Sequence, residues 1–244
     1  MQSYGGNAFL AFLSAPDLAA VRPQLAPFDL RLGDCLHRPD DRIEYVIFPH
    51  SGLVAMSMPS QEGARAEAFL VGSDGFIGGL AAAAAACAFC EARVHIAGEA
   101  SRMSATAFFN LLDQNPSVRR LAAQFDCAML AQVQQTAVCN AVHSVEARLC
   151  RLLLEIQDRC NSSKIPLTHS ALAQMLGVRR TTVTVIAGRL EAAGLIDTRR
   201  GYVKIINREE LERRSCECYG QVRTYVIRLF ANSKTWAEFQ NVGR

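Results

Sequence analysis

A long segment in the middle of the chain contains neither glycine nor proline after its first residue, and this limits the folds that the chain can adopt. Asn115-Pro116 is a favourable helix start, because asparagine is a common N-cap residue and proline is tolerated at the first helical position. From there no glycine or proline interrupts the chain until well past position 140. The sequence therefore predicts a long helix that begins at Asn115-Pro116.

The parts before and after this helix differ in charge. Residues 1–115 contain seven basic and twelve acidic side chains, a net of −5, whereas residues 144–208 contain eleven and five, a net of +6. Such a division suggests two domains with different partners. The basic second part is expected to contact a polyanion.

Composition sets the broad class of the protein. The chain has 244 residues, of which 50% are hydrophobic and 20% charged, so it can bury a core and is not a disordered chain. The longest uncharged apolar stretch, residues 75–90, is shorter than the roughly 20 residues that span a bilayer. Nine scattered cysteines fit reduced thiols better than a disulfide framework. We therefore expect a cytoplasmic protein without a membrane partner.

Residues from Phe28 to about Ser104 have the pattern of a β domain. Short β-like runs such as IEYVIFP and GLVAMSM are broken by turn residues every ten to twenty positions. This spacing predicts an antiparallel sandwich or a small barrel. Ser104 is then expected to cap a short helix that stops before Asn115-Pro116.

The long helix carries an apolar stripe that allows two interpretations. Its members recur with spacings of three and four, and the second half of the stripe becomes polar: Val118, Leu121, Phe125, Ala128, Gln132, Gln135, Cys139 and Val142. The stripe could pack on its own domain, or it could be the seam of a dimeric coiled coil, and we expect the seam because of the resemblance given below. A second amphipathic helix follows over residues 144–160, and a loop from Cys160 to Pro166 ends it.

The next segment predicts a helix-turn-helix. Thr168 is placed to cap a helix through Leu176, Gly177 supplies a tight turn, and a second helix runs from about Arg179 to Gly194. Residues 196–199 and 202–206 then alternate around Arg200-Gly201, as in a β-hairpin.

The second helix presents groups that can read a DNA major groove. Arg180 can bind a guanine edge through two hydrogen bonds, Thr181 and Thr184 can bind bases or phosphates, and Val185 can touch a thymine methyl group. Phosphate contacts are expected from Arg179 and Arg189 on the helix and from Arg199 and Arg200 at the hairpin tip. No metal triad, nucleophile elbow or phosphate-binding glycine loop accompanies these residues, so catalytic residues are not expected and the chain is not predicted to be an enzyme.

The segment LTHSALAQMLGVRRTTVTVIAGRLEAAGLI and its hairpin resemble the winged helix-turn-helix of the Crp/Fnr family of bacterial transcription regulators. The order of the parts agrees with that resemblance over roughly residues 8–208. It implies an α+β fold: a cyclic-nucleotide-binding-like antiparallel β-roll over residues 1–115, a dimerisation helix over 116–143, and a winged helix-turn-helix over 144–210. Residues 211–244 would form a helical extension that packs on its own DNA-binding domain or on a partner subunit.

The resemblance also assigns DNA-contacting residues. It implies base reading by Arg180 and backbone or phosphate contacts by Thr168, His169, Ser170 and Thr182. Thr181 stands where the family has a base-reading glutamate, and Val185 stands where it has a second arginine. The DNA target is therefore expected to differ from the family's usual half-site.

The segment Ser73–Leu80 resembles the opening of the family's phosphate-binding cassette, but the ligand-binding groups are replaced. Gly79 stands in place of a ribose-binding glutamate, and Ala88-Phe89 in place of the pair that clamps the cyclic phosphate. Cyclic AMP is therefore not expected as ligand, because an anionic nucleotide would lose its charge-assisted hydrogen bonds. The effector is left unknown, and its candidate pocket is Gly78, Gly79, Leu80, Ala88, Phe89, Arg93, Val133 and Gln134.

Cysteine spacing does not predict a metal site. Cys87-x-x-Cys90 and Cys216-x-Cys218 are two-ligand fragments, short of the four ligands of a zinc or iron–sulfur site. We therefore expect no metal and no cofactor.

The sequence as a whole predicts a homodimeric transcription regulator that binds near-palindromic double-stranded DNA and contacts RNA polymerase. A signal in the β domain would gate DNA binding. The alternatives are constitutive DNA binding with a degenerate sensor domain, or thiol redox sensing.

Overall fold

The computed structural model describes residues 6–59, 65–160 and 162–231. The N-terminal elements are α1 (Ala8–Phe12), α2 (Ala15–Val21), β1 (Ala26–Leu30), β2 (Cys35–His37), β3 (Tyr45–Pro49), β4 (Leu53–Pro59), β5 (Arg65–Val71), α3 (Gly79–Ala83), β6 (Glu91–Ile96), β7 (Gly98–Ser104) and α4 (Ala105–Gln114). The long helix α5 is followed by the C-terminal elements: α5 (Pro116–Val142), α6 (Val145–Cys160), β8 (Lys164–Ile165), α7 (His169–Leu176), α8 (Arg180–Ala192), β9 (Ile196–Arg199), β10 (Tyr202–Ile205), α9 (Arg208–Arg214) and α10 (Cys218–Leu229).

The β domain is built from two antiparallel sheets, as the strand pattern predicted. Their strand orders are β1-β7-β3 and β2-β6-β4-β5. Alternate side chains of both sheets point inward and form one core, which includes Leu30, Ile47, Val54, Met56, Val71, Ala92 and Val94. The mixed α+β class with antiparallel sheets is thereby confirmed.

Phenylalanine rings join the β domain to the helices around it. The side chains of Phe9, Phe48, Phe76 and Phe108 are at most 1% exposed, and their rings lie 5.0 to 6.3 Å from neighbouring rings. Phe125 of α5 lies 5.6 Å from Phe9. Burial of several large rings fixes the position of α5 on the β domain, because each ring removes a large apolar area from water.

Asn115 separates α4 from α5 but does not cap α5 with its side chain. Its amide nitrogen Nδ2 instead donates to the carbonyl of Leu111 at 3.0 Å, at the end of α4. Pro116 occupies the first turn of α5, where a missing N–H costs no helical hydrogen bond. The boundary was thus predicted correctly, whereas the expected side-chain cap was wrong.

The apolar stripe proposed as a dimer seam faces the same chain. Val118, Phe125, Ala128, Gln132 and Cys139 are all buried within the subunit. The stripe therefore packs on the chain's own domain, and the expectation that these buried residues form the dimer seam is wrong. A different stripe of α5 is exposed and follows spacings of four and three, namely Ala123, Cys127, Leu130, Gln134, Ala137 and Ala141.

The C-terminal extension packs back on α5 and α6 of its own subunit. Gln124 on α5 donates to the carbonyl of Leu229 at 3.1 Å, and the ring of Phe230 lies 4.9 Å from that of Phe125. The part of the predicted extension over residues 232–244 lies outside the described residues.

The two halves of the chain share a core and a polar junction. Leu53, Ala55 and Leu70 of the β domain belong to the same buried cluster as the helix-turn-helix core. At the junction, Arg159 of α6 lies 3.1 Å from the carboxylate of Asp74 and donates to Gln132 of α5 at 2.6 Å. In the described part of the chain, no helix is long and apolar enough to cross a bilayer.

Candidate DNA-binding surface

Helices α7 and α8 begin and end as their sequence predicts. The Thr168 hydroxyl accepts a hydrogen bond from the amide of Ala171 at 3.2 Å and so caps α7. Gly177 ends α7 in the left-handed region at φ 64°, which a glycine adopts without steric cost. The guanidinium of Arg148 donates to the carbonyl of Leu176 at 2.6 Å and satisfies a carbonyl in the last turn.

Buried side chains lock α8 against α7 and leave the opposite face free. Val183, Ile186, Ala187 and Leu190 of α8 are at most 7% exposed and pack with Leu172, Ala173 and Leu176 of α7. The exposed side of α8 consists of Arg180, Thr181, Thr184, Val185, Gly188 and Arg189, while Thr182 is half-buried. Val185 is a large apolar residue, yet 55% of it is exposed.

The start of α8 carries two arginines, and no acidic side chain in the first turn of the helix neutralises them. Arg179 occupies the N-cap position without a side-chain cap, Arg180 follows, and the first turn contains no acidic residue. Both arginines are exposed. Positive side chains at this end oppose the helix dipole, and an anion such as phosphate would relieve that cost.

Three predicted contact residues lie at the start of α7, beside α8. His169 Nδ1 lies 3.2 Å from the hydroxyl oxygen of Thr184. The same hydroxyl donates to the carbonyl of Arg180 at 3.1 Å. Thr168 and Ser170 are exposed next to them. The fold thus gathers the predicted residues of both helices on one surface.

The hairpin of β9 and β10 is tied to α8 by one acidic residue. Glu191 accepts hydrogen bonds from the Thr198 amide at 3.0 Å and from the Thr198 hydroxyl at 2.8 Å. The backbone hydrogen bond from Thr198 holds the pKa of Glu191 below its ordinary value, and the hydroxyl adds to the effect. Arg199 and Arg200 are exposed at the tip, where Gly201 turns the chain at φ 87°.

Sequence reasoning missed a third strand in this small sheet. The predicted loop from Cys160 to Pro166 contains β8, which pairs with β10 through Ile165 and Val203. Lys164 on β8 lies with its Nζ atom 4.2 Å from the centre of the Tyr202 ring. This pairing adds Lys164 to the basic surface, and a two-residue strand leaves no periodicity from which it could have been predicted.

The candidate effector residues differ widely in burial. Gly78 precedes α3 at φ 84°, and a Cβ atom on Gly79 would lie 2.1 Å from the ring of Phe76. Ala88 is buried, whereas Leu80 and Phe89 are 62% and 81% exposed. On α5, Val133 is half-buried and Gln134 is exposed. The cassette is therefore packed against the phenylalanine core by its glycine and alanine positions.

The side chain of Arg93 lies on the face of its sheet that points away from the core of the β domain. Its neighbours Ala92 and Val94 belong to the core of the β domain, so its own side chain points outward. There it donates to Glu91 at 2.8 Å and 3.1 Å and to the carbonyl of Gly33 at 2.8 Å. The structure does not bring this cation together with Gly78 and Gly79.

Comparison with known proteins agrees with this geometry. Residues 147–214 match the family model of the Crp-like helix-turn-helix domain. The comparison with curated proteins gives no match.

Solved structures share the architecture over most of the chain. FixK2 from Bradyrhizobium japonicum has a TM-score of 0.68 at 16% identity and covers 79% of this chain and 98% of its own. A Crp/Fnr-family transcriptional regulator from Thermus thermophilus has a TM-score of 0.64 at 21% identity, with 78% and 98% covered. The c-di-GMP responsive regulator CLP from Xanthomonas campestris has a TM-score of 0.64 at 16% identity, with 79% and 99% covered. The resemblance stated from the sequence is confirmed: the chain contains a Crp-like helix-turn-helix domain and has the fold of Crp/Fnr regulators.

Proposed function

We propose that this chain, with its Crp-like helix-turn-helix in a Crp/Fnr fold, is a sequence-specific DNA-binding transcription regulator. The observation that carries the proposal is the free face of α8, on which Arg180, Thr181, Thr184 and Val185 are exposed beside a basic hairpin. These groups can hydrogen-bond to base edges and contact a thymine methyl group. The exposed arginines of the hairpin tip would bind the neighbouring phosphates.

The proposed active form is a homodimer. On α5, Ala123, Cys127, Leu130, Gln134 and Ala137 lie on one exposed stripe with heptad spacing, and Leu130 is 56% exposed. A second copy would cover this stripe in a two-stranded coiled coil. Two recognition helices would then enter successive major grooves of a near-palindrome about 34 Å apart.

Cys127 offers a direct test of this dimer. A two-fold axis along the exposed stripe would bring the two copies of Cys127 within disulfide reach. Mild oxidation should then yield a cross-linked dimer that Cys127→Ser abolishes. Cys87→Ser, which removes another exposed cysteine, should leave the cross-link intact. Cross-linking that depends on Cys87 instead of Cys127 would contradict the assignment of the face.

We propose that the gating signal is not cyclic AMP. Arg93 is engaged by Glu91 and Gly33 on the outer face of the sheet, and Gly79 is packed against Phe76. An anionic cyclic nucleotide would therefore lack the cation that its phosphate needs. Isothermal titration with cyclic AMP is expected to show no binding, and a saturable isotherm would overturn this part of the proposal.

Activation of transcription would require a surface of the regulator that contacts RNA polymerase. We place the contact at residues 158–164, where Asp158, Ser162 and Lys164 are exposed near the DNA-binding surface. Substituting Ser162 with a bulky residue should reduce transcription in vitro without changing DNA affinity, whereas equal transcription would remove this assignment.

DNA selection tests the proposal as a whole. The purified chain, incubated with a random duplex library without added effector, should enrich a two-fold symmetric motif, and Arg180→Ala should lose preference at one base pair in each half-site. If neither protein enriches a motif although both are folded, DNA binding without a signal is excluded and the library must be tested with candidate effectors. Enrichment of one identical motif by both proteins would contradict base reading by Arg180.

A further inference from the structure

Three cysteines and one histidine meet at the end of the long helix. Cys139, His143, Cys216 and Cys218 each offer one ligand atom, and these four atoms lie within 4.8 Å of one another. Sequence spacing gave no reason to group these residues, because Cys139 and Cys216 are 77 positions apart in the chain. The fold joins Cys139 in the last turn of α5 and His143, the residue that follows the helix, to the Cys-x-Cys turn between α9 and α10.

Local structure explains why the four side chains converge. Cys139 and His143 are four residues apart at the end of α5, so they lie on the same face of the helix. Cys218 is the first residue of α10, and Cys216 lies in the preceding turn, where its carbonyl accepts from the Tyr219 amide at 3.2 Å. Packing of α10 along α5 then places the turn against that face.

The distances suit one tetrahedral metal ion. Zinc lies about 2.3 Å from sulfur and 2.0 to 2.1 Å from nitrogen, which puts the ligand atoms of a tetrahedron about 3.5 to 3.8 Å apart. Here Cys139 Sγ lies 3.5 Å from Cys216 Sγ, and Cys218 Sγ lies 3.4 Å from His143 Nδ1. An iron–sulfur cluster would place its own iron and sulfide between the ligands and needs a wider spread.

Outer groups complete the environment of such a site. His143 Nε2 lies 3.2 Å from the Glu217 carboxylate, so Nδ1 can coordinate while Nε2–H donates to Glu217. Zinc-bound histidines commonly have a partner of this kind, which fixes the ring and its tautomer. Gln135 donates to the Cys218 sulfur at 3.0 Å.

Burial distinguishes this cluster from a chance group of surface residues. Cys139, Cys216 and Cys218 are 1%, 6% and 0% exposed, and they form a small buried cluster of their own. A single buried thiol is usually a small apolar side chain, whereas three thiolates and an imidazole at one place complete a closed coordination shell. We propose that Cys139, His143, Cys216 and Cys218 form a structural Cys3His zinc site that joins the C-terminal extension to the end of the dimerisation helix.

Metal content is the primary test of the site. The full chain, purified under reducing conditions from zinc-supplemented medium, should contain about one zinc per chain by plasma mass spectrometry. Cys216→Ser and Cys218→Ser should each lose most of it. Cys160→Ser, which alters a half-buried cysteine outside the cluster, should keep it. Zinc-free wild-type protein, even after incubation with zinc, would overturn the proposal.

Cobalt substitution tests the ligand set even if a variant folds poorly. Co²⁺ added to the metal-free chain should give the visible bands of a tetrahedral ion and thiolate-to-cobalt charge-transfer bands for three sulfurs. His143→Cys should retain zinc and raise the charge-transfer intensity by about one third, since a fourth thiolate joins the first three. His143→Ala removes a ligand itself and should weaken zinc binding by more than the roughly 10- to 100-fold that loss of an outer partner costs. Unchanged cobalt spectra in both His143 variants would exclude this residue as a ligand.

Two other chemistries would be distinguished by the same samples. Iron and sulfide in the protein purified without oxygen would identify a cluster and contradict a zinc site. A Cys139–Cys216 disulfide found by mass spectrometry in zinc-replete protein would show that these thiols form a redox pair, and this would also overturn the proposal.

Discussion

At the scale of single residues, α8 separates the side chains that pack in the core from those that are free to contact DNA. Val183, Ile186 and Leu190 are buried and hold the helix in place, whereas Arg180 and Val185 point into solvent. Periodicity predicts this division directly, because residues three and four apart share a helix face. The role of Asn115 was less accessible to sequence reasoning, since one side chain between two helices can cap either of them.

Asp126 on α5 gives a pH prediction at this scale. Burial raises the pKa of its carboxyl to about 6, and its Oδ1 atom has no hydrogen-bond partner among the described residues. The unfolded value is about 3.9, so the ionised group destabilises the fold as the pH rises through about 4 to 6. Asp126→Asn should therefore raise the free energy of unfolding at pH 7.5 by about 2 kcal/mol, and by much less at pH 4.

Urea unfolding at the two pH values checks this expectation. Asp113→Asn, at an exposed position on α4, is the matched control and should change the free energy of unfolding at neither pH. A stabilisation by Asp126→Asn that is the same at both pH values would show that the effect does not come from the charge.

At the scale of elements, periodicity alone cannot decide which of two stripes of α5 is buried within the subunit. The helix has two stripes with spacings of three and four, and both contain small and apolar residues. The stripe with Phe125 and Ala128 is covered by α1 and α10 of the same chain, which only the tertiary fold reveals. The bounds of α4, α5 and α7 followed from local signals, whereas the choice of the buried face depended on distant elements.

The exposed stripe of α5 yields a prediction about assembly. Leu130→Glu places a charge in the centre of the proposed seam, where it would be buried against a second copy, so the dimer should dissociate at micromolar concentration. Sedimentation velocity would measure the change from dimer to monomer. Leu32→Glu, the same substitution at a residue that is 71% exposed in the β domain, should leave the dimer intact. A dimer that survives Leu130→Glu would exclude this seam.

The hairpin offers a second prediction at this scale. Glu191→Ala removes both hydrogen bonds to Thr198, so backbone amides of β9 should exchange with deuterium faster. Glu191→Gln removes the charge but keeps an acceptor and a donor at the same place, and exchange should stay close to wild type. Equal exchange rates in both variants would show that Glu191 does not anchor the hairpin.

At the scale of the whole molecule, the β domain and the C-terminal half of the chain meet at a buried arginine. Arg159 is 8% exposed and contacts Asp74 of the β domain and Gln132 of α5. Asp74 is the first of the carboxylates that stabilise the charged guanidinium, ahead of Glu155, Asp158 and Glu67, so its removal leaves the buried charge of Arg159 less well compensated. Asp74→Asn should therefore destabilise the chain, and Arg159→Met combined with Asp74→Asn should cost less than the sum of the single changes.

A double-mutant cycle in urea measures this junction. We expect an interaction energy of about 1 kcal/mol or more between Arg159 and Asp74, since residues in direct contact are coupled. Additive effects would show that the Arg159–Asp74 contact does not couple the two halves. The proposed Cys3His site belongs to the same scale, because its four residues come from segments that no local pattern connects.

A salt titration of DNA affinity tests sequence reading by α8. Fluorescence anisotropy would give the Kd of wild type, Arg180→Ala and Arg200→Ala on the selected duplex and on a random duplex. We predict that Arg180→Ala loses about 1 to 3 kcal/mol on the selected duplex and little on the random one. Arg200→Ala should weaken both alike and reduce the salt slope by about one. Equal losses for Arg180→Ala on the two duplexes would contradict sequence reading by α8.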